Sequence, residues 1–207
     1  MALSAEALLA ERQARFHLLV LPHLDRLLGF AQRRTDGGGD AEDAVQDACM
    51  RAWTAFDELR DESCVRAWLY RILRTVLSDA FEKEGRRRQL VSITRLEEAH
   101  ETMVGTDTDF VFTEVVARID RELLRDALSN IPEDFATAVE LHDIDGFKYH
   151  EIADITSVPI GTVMSRISRG RRLLAGAIVE SRAAWPLGVH VEVDQHAGVR
   201  AVHRKRT

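Results

Sequence analysis

The sequence predicts an all-α protein made of two small helical domains joined by a flexible linker. Three observations carry that prediction. Apolar residues recur at helical spacing in several separate runs, whereas strand-like alternation is hard to find before residue 187. Helix breakers punctuate those runs, among them the glycines at 37–39 and the prolines at 132 and 159. Between about residues 89 and 118 the periodicity weakens and the composition turns polar and acidic, as a linker would. With 207 residues, 45% of them hydrophobic, the chain has enough apolar surface to bury a core.

The clearest helix lies in "GGGDAEDAVQDACMRAWTAF". Three glycines end what precedes it, and Asp40 with Asp43 makes an acidic start of the capping-box type. Ala44, Val45, Ala48, Cys49, Ala52, Trp53 and Phe56 then fall on one face as a core stripe. The other face shows Glu42, Asp43, Gln46, Asp47 and Arg51. Between Asp40 and Glu62 eight carboxylates stand against two arginines, and taken alone such a face is most often only solvated. A second helix follows in "VRAWLYRILRTVLSDAFEKEGRRRQ", with Leu69, Ile72, Leu73, Val76, Leu77 and Ala80 as its core stripe. From Val65 to Arg88 seven basic residues outnumber three acidic ones, so an acidic helix abuts a basic one. Trp68 and Tyr70 stand at its head, where core packing and a surface role are both open.

In the second domain Leu123, Leu124, Ala127, Leu128 and Ile131 form one helical stripe, closed by Asn130 and Pro132. Phe135, Ala138 and Val139 form the next, with His142 open between that stripe and the surface. "DGF" is a turn, Tyr149, Ile152 and Ala153 belong to a short helix, and "TSVP" is another turn. Pro159 then sits near the first turn of a final helix, where its missing N–H costs nothing.

That last helix raises a question of charge. The protein is acidic, with 28 Lys and Arg against 34 Asp and Glu, yet "VPIGTVMSRISRGRRLL" holds four arginines and no acid. Short helix, tight turn, then a helix with a polar and basic face is the helix-turn-helix pattern, whose second helix lies in the DNA major groove. Thr162, Ser165, Arg166 and Arg169 fall away from the apolar Val163, Ile167 and Leu174. An arginine can bond guanine through two donors, while Arg171, Arg172 and Lys148 suit phosphates. A basic helix end favoured by the helix dipole would give the same local charge.

Three blocks together resemble a known family: "DAEDAVQDACMRAW", "AWLYRIL", and "IPEDF" followed by "DGFKYHEIADITSVPIGTVMSRISRGRRLL". In this order, over about residues 16 to 178, they are similar to an extracytoplasmic-function (group 4) sigma factor of bacterial RNA polymerase. "GFKYHEIA" with "PIGTVMSRISRGRR" resembles the thiol-oxidative-stress branch of that family. The resemblance implies a sigma region 2 domain at 1–88, a linker at 89–118, a region 4 helix-turn-helix domain at 119–180 and an extension at 181–207. It implies that Asp43, Gln46, Asp47 and Arg51 meet the basic clamp helices of the polymerase β′ subunit, and that the second domain holds the β flap. It implies contacts to the promoter −10 element from Trp68, Tyr70, Arg71, Arg74, Lys83, Arg86 and Arg87. Contacts to the −35 element would come from Thr162, Ser165, Arg166, Arg169, Arg171 and Arg172. It further implies promoter-specific transcription initiation in the bacterial cytoplasm, control by an anti-sigma factor, a monomer when free, and no cofactor or metal.

The chain departs from the family pattern in three places. The −10 helix commonly carries an Asn-Thr-x-x-Ile-Asn/Asp run and then an arginine. Here Thr75, Val76, Ser78, Asp79 and Glu82 stand across that run, and Glu82 and Glu84 would repel phosphate on a DNA face. Ser157 stands where the helix-turn-helix commonly has glycine, and a left-handed serine costs ~1 kcal/mol. Gly170 replaces a small helix former and weakens its helix by about 1 kcal/mol.

The tail alternates Val189, Val191 and Val193 before Val199 and Val202, as either a short β-hairpin or a disordered extension would. Cys49 falls on a buried stripe and Cys64 in a loop, and the two cysteines give neither a metal spacing nor a disulfide framework. His142, Asp143, Asp145 and His150 are expected as polar residues on the outside of the second domain, not as metal ligands. No run of about 18 apolar residues marks a membrane span, and Glu6, Glu11, Arg12 and Arg15 interrupt any signal-peptide pattern. No phosphate loop or nucleophile motif suggests an enzyme. The alternative is a stand-alone helix-turn-helix repressor or activator, dimeric on a palindromic site. The acidic helix at 40–47 separates the two, because a repressor has no evident use for it.

Overall fold

The computed structural model describes residues 5–35, 38–83, 119–183, 191–194 and 198–201, with the side chains of 81–83 and of residues beyond 181 outside that description. The described helices fall into two stretches, before residue 84 and after residue 119, which apart from residues 154–157 correspond to two compact units.

The first unit runs α1 (Ala5–Val20), a 3₁₀ turn (Leu21–His23), α2 (Leu24–Gln32), α3 (Gly38–Thr54), two more 3₁₀ turns (Phe56–Glu58 and Glu62–Cys64) and α4 (Val65–Lys83). Helix α3 is the centre of the unit and packs against both α2 and α4. Ala41, Ala44, Ala48 and Ala52 are buried along one side of it, and such small side chains let neighbouring helices approach closely. Phe56 completes that stripe, while Val45, Cys49 and Trp53 lie at its half-buried edge. Helix α4 answers with buried Leu69, Leu73, Val76 and Leu77, each contributing about 1.5–3 kcal/mol by burial.

Three sequence expectations are corrected here. Two of the three glycines do not precede α3: Gly38 and Gly39 form its first turn, which is tolerated because helix ends lack intrahelical partners anyway. Ala80 is exposed and is not part of the core stripe. Tyr70 is wholly buried and meets Phe30 edge-to-face at 5.2 Å, so it belongs to the core.

The second unit holds α5 (Arg121–Ser129), α6 (Glu133–Val139), a π-helical turn (Glu140–Ile144), α7 (Tyr149–Thr156) and α8 (Ile160–Ala183). Caps set these limits. Asp120 accepts from the Glu122 N–H at 2.9 Å, and the Glu151 carboxylate accepts from the Lys148 N–H at 2.7 Å, as N3 does in a capping box. The Pro159 carbonyl accepts the first bonds of α8 from Thr162 and Val163. The core joins Leu124, Ala127, Leu128 and Ile131 to Ala136, Val139, Leu174, Ala177 and Ile178. Beyond it, strands β1 (Val191–Asp194) and β2 (Gly198–Ala201) pair antiparallel with Val193 opposite Val199, the hairpin alternative for the tail. The expected linker, residues 89–118, lies outside the described residues.

Among the described residues, Gly146 at 72° and Ser157 at 58° carry positive φ. The turn between α7 and α8 is thus left-handed at the serine, as expected if that position needs glycine-like geometry. Gly170 is a correction. A Cβ there would lie 2.6 Å from Val139 Cγ2 and 2.8 Å from the Phe135 carbonyl oxygen, so the close approach of α6 to α8 requires glycine at this place. No helix among the described residues is long and apolar enough to cross a membrane.

Candidate nucleic-acid interface

Helix α8 is long enough, at 24 residues, to bury one side in the unit and keep another in solvent. Val163, Ile167 and Leu174 face the interior, as the sequence requires. Ser165 and Arg172 are exposed, and Thr162 and Arg169 are half-buried. Ser168, which sequence reasoning passed over, is exposed one turn beyond Ser165 on the same side. The Ser165 hydroxyl donates to the Thr162 carbonyl at 2.9 Å, which leaves its oxygen lone pairs outward as acceptors.

The other two arginines are used within the unit. Arg166 donates to Asp134 Oδ2 at 2.6 Å, reaching the acidic first turn of α6. Arg171 donates through two nitrogens to the two oxygens of Asp143, at 2.9 and 2.6 Å. Its side chain is only 12% exposed and that of Asp143 only 1%. Arg171 therefore braces α8 against the π-helical turn and is not placed to hold a phosphate. Asp143 and Asp145 are buried, which corrects their expected place on the outside of the domain. His142 is half-buried, its Nδ1 lies 2.9 Å from the Phe147 carbonyl oxygen, and its ring lies 4.7 Å from that of Tyr149. Among the described residues no cluster of His, Cys, Asp and Glu is arranged to hold a metal ion. Lys148 and His150 are exposed.

In the first unit α3 turns Asp43 and Gln46 to solvent, with Asp47 half-exposed beside them. Met50 continues that stripe at 58% exposure, an apolar residue among acids that the charge pattern did not single out. Arg51 bridges two carboxylates, Asp47 on its own helix at 3.0 Å and Asp79 on α4 at 2.9 Å. Those two hydrogen bonds, the Asp79 one first, raise its pKa above the usual arginine value. On α4 Arg71 is exposed, while Trp68 and Arg74 are half-buried. The side chain of Lys83, and Arg86 and Arg87 entirely, lie outside the described residues.

Side chains of α1 reach the end of α3. Arg12 stacks on the Trp53 ring at 4.1 Å and bonds the Trp53 carbonyl, and Arg15 pairs with Glu62 at 2.7 Å. Burial pushes the Cys49 thiol above its usual pKa. Cys64 is exposed in a 3₁₀ turn capped by Asp61, whose carboxyl is held below its ordinary range chiefly by the Ser63 hydroxyl.

The matches to known proteins follow the same two units. The Sigma-70 region 2 family model matches residues 19–87, and the Sigma-70, region 4 model matches residues 121–174. The ECF RNA polymerase sigma-E factor of Haemophilus influenzae is 32% identical over 166 residues, spanning 79% of this chain and 87% of that protein. Its Escherichia coli K12 counterpart is 30% identical over 164 residues, spanning 78% and 85%. Among solved structures, the sigma factor RpoE in complex with the anti-sigma factor NepR from Bartonella quintana is similar at TM-score 0.61 and 30% identity, over 80% of this chain and 97% of that one. CnrH in complex with the cytosolic domain of CnrY shares the fold at TM-score 0.58 and 23% identity, over 81% and 90% of the two chains. With both sigma-70 regions in order and identity of this extent across most of its length, the chain belongs to the extracytoplasmic-function RNA polymerase sigma factors.

Proposed function

We propose that this sigma factor docks on core RNA polymerase through the outer face of α3 and reads promoter DNA through α4 and α8. The observation that carries the docking half is the face itself. Asp43, Gln46 and Asp47 stand opposite a buried alanine stripe, so the helix is held rigidly while its carboxylates meet solvent. Such a face suits the basic clamp helices of the β′ subunit. The promoter −10 element would meet Trp68, Arg71 and Arg74 of α4, with Lys83, Arg86 and Arg87 beyond. Opening a duplex and holding an unstacked base needs aromatic and cationic surface of this kind. The −35 element would receive the exposed face of α8, Thr162, Ser165, Arg169 and Arg172, in its major groove. Arg166, tied to Asp134, would contribute from the edge of that face. The domain limits implied by the sequence, 1–88 and 119–180, place one DNA element on each.

The protein makes and breaks no bond in this scheme, so it acts as a polymerase subunit and not as an enzyme. Its similarity to the sigma factor RpoE solved with the anti-sigma factor NepR supports control by an anti-sigma factor that covers the polymerase-binding faces. "GFKYHEIA" and "PIGTVMSRISRGRR" support membership of the thiol-oxidative-stress branch, acting in the bacterial cytoplasm. With a net charge of −6, unaided binding to DNA should be weak.

Run-off transcription with purified core polymerase tests the scheme. Wild type should give promoter-dependent transcripts, and Asp43→Arg/Asp47→Arg should lose transcripts together with core binding. Tight unaided binding of the wild type to a palindromic site, without core binding, would overturn it.

A further inference from the structure

We propose that Arg51 is a positioning residue that covers the Asp79 carboxylate, so that the seam between α3 and α4 does not repel promoter DNA on the α4 face. The inference rests on the reading of α4 as the −10 surface. The family resemblance groups Arg51 with Asp43, Gln46 and Asp47 as a polymerase contact. The structure gives its guanidinium a different task. One terminal nitrogen donates to Asp79 Oδ2 at 2.9 Å and the other to Asp47 Oδ2 at 3.0 Å. Asp47 is one turn away on the same helix, whereas Asp79 comes from α4.

Asp79 stands one turn after Thr75 and two turns after Arg71, and beside Ser78, all three of them exposed. Its side chain is 44% exposed, so without a cation it would put a negative charge at the edge of that face. Carboxylate and phosphate repel, and the repulsion is partly screened in water. A single arginine between two carboxylates leaves one negative charge over. If a cationic partner takes Asp47, the guanidinium remains with Asp79 alone, so docking on α3 strengthens the cover on α4. The two surfaces of the unit are then coupled through one side chain, without any movement of the helices.

The test uses holoenzyme assembled from purified core and the full chain, with Arg51→Gln, Asp79→Asn and the double variant. Two quantities are read: affinity for core, and promoter opening on a fragment that the wild-type holoenzyme opens. Arg51→Gln should lower opening about three- to fivefold at low salt, the size of an exposed charge effect, and less as salt rises. Its affinity for core should stay within about twofold of wild type, because only a secondary contact to Asp47 is lost. Asp79→Asn should open the promoter at least as well as wild type, and the double variant should recover wild-type opening. Loss of core affinity in Arg51→Gln without recovery in the double variant would overturn the proposal and make Arg51 a direct contact. Equal loss of opening in Asp79→Asn would overturn it too, and make the pair a structural brace. Failure of the wild-type holoenzyme to open any promoter would remove the reading of α4 and this inference with it. An unrecovered variant in a working holoenzyme removes the inference alone.

Discussion

The acidic face of α3 and the basic run of α8 look alike as sequence, since each is a helix with one sign of charge in excess, but they differ as structure. On α3 the acids that define the pattern, Asp43 and Asp47, stay at the surface, and Gln46 with them. On α8 two of the four arginines turn to carboxylates of the same unit, Arg166 to Asp134 and Arg171 to Asp143. The difference comes from what each helix packs against. Helix α3 buries alanines, which ask nothing of a neighbour beyond closeness. Helix α8 passes the exposed Asp134 at the start of α6 and packs on the π-helical turn, where Asp143 is buried and needs a cation. A run of like charge therefore measures how much charge a helix carries, and not how much of it faces a partner.

The largest effect that can break this contrast is at the inner brace. Asp143→Ala would remove the two hydrogen bonds that Asp143 accepts from the nearly buried Arg171 and should cost about 3–5 kcal/mol, read by denaturant unfolding of the full chain. Replacing both residues by apolar ones, Asp143→Leu with Arg171→Met, should cost less, because the two charges of this pair are removed together. A small loss in Asp143→Ala would mean that Arg171 reaches solvent easily and counts as an outer cation after all.

Gly170→Ala comes next. Alanine is the better helix former by about 1 kcal/mol, so an open site would gain stability. Here its Cβ meets Val139 and the Phe135 backbone, and overpacking of this kind costs about 1–3 kcal/mol, giving a net loss in thermal unfolding. The smallest effect is at the turn before α8. Ser157→Gly should raise stability by up to about 1 kcal/mol, since glycine accepts the positive φ that serine tolerates at a cost. A loss there would show that the serine side chain contributes more than its strain removes.

Much of the fold was legible in the sequence because it rests on local periodicity. The stripes of α3, α4, α5 and α8 placed Ala48, Leu73, Leu128 and Ile167 in the core, and all four are buried. The helix-turn-helix signature and the left-handed serine were legible for the same reason: each depends on neighbours within a few residues. What was not legible depends on partners far along the chain. Asp134 and Arg166 are 32 residues apart, and Asp143 and Arg171, like Arg51 and Asp79, are 28 apart. Nothing in the local pattern of "RGRR" distinguishes Arg171, which is enclosed, from Arg172, which is exposed. Tyr70 failed similarly, because an aromatic at a helix head suits a core or a surface until Phe30 is seen beside it. Gly170 read as a local weakness, and only the position of α6 shows it to be a requirement of packing.

On the proposed reading the two charged helices serve different partners, α3 the polymerase and α8 the promoter. Equilibrium titration of fluorescently labelled chain with core RNA polymerase tests it most directly, comparing Asp43→Arg/Asp47→Arg with Arg169→Ala/Arg172→Ala. The account predicts that the first variant loses most of its affinity for core while the second keeps the wild-type value and loses only promoter-dependent transcription. Equal affinity of the acidic-face variant and the wild type would contradict it.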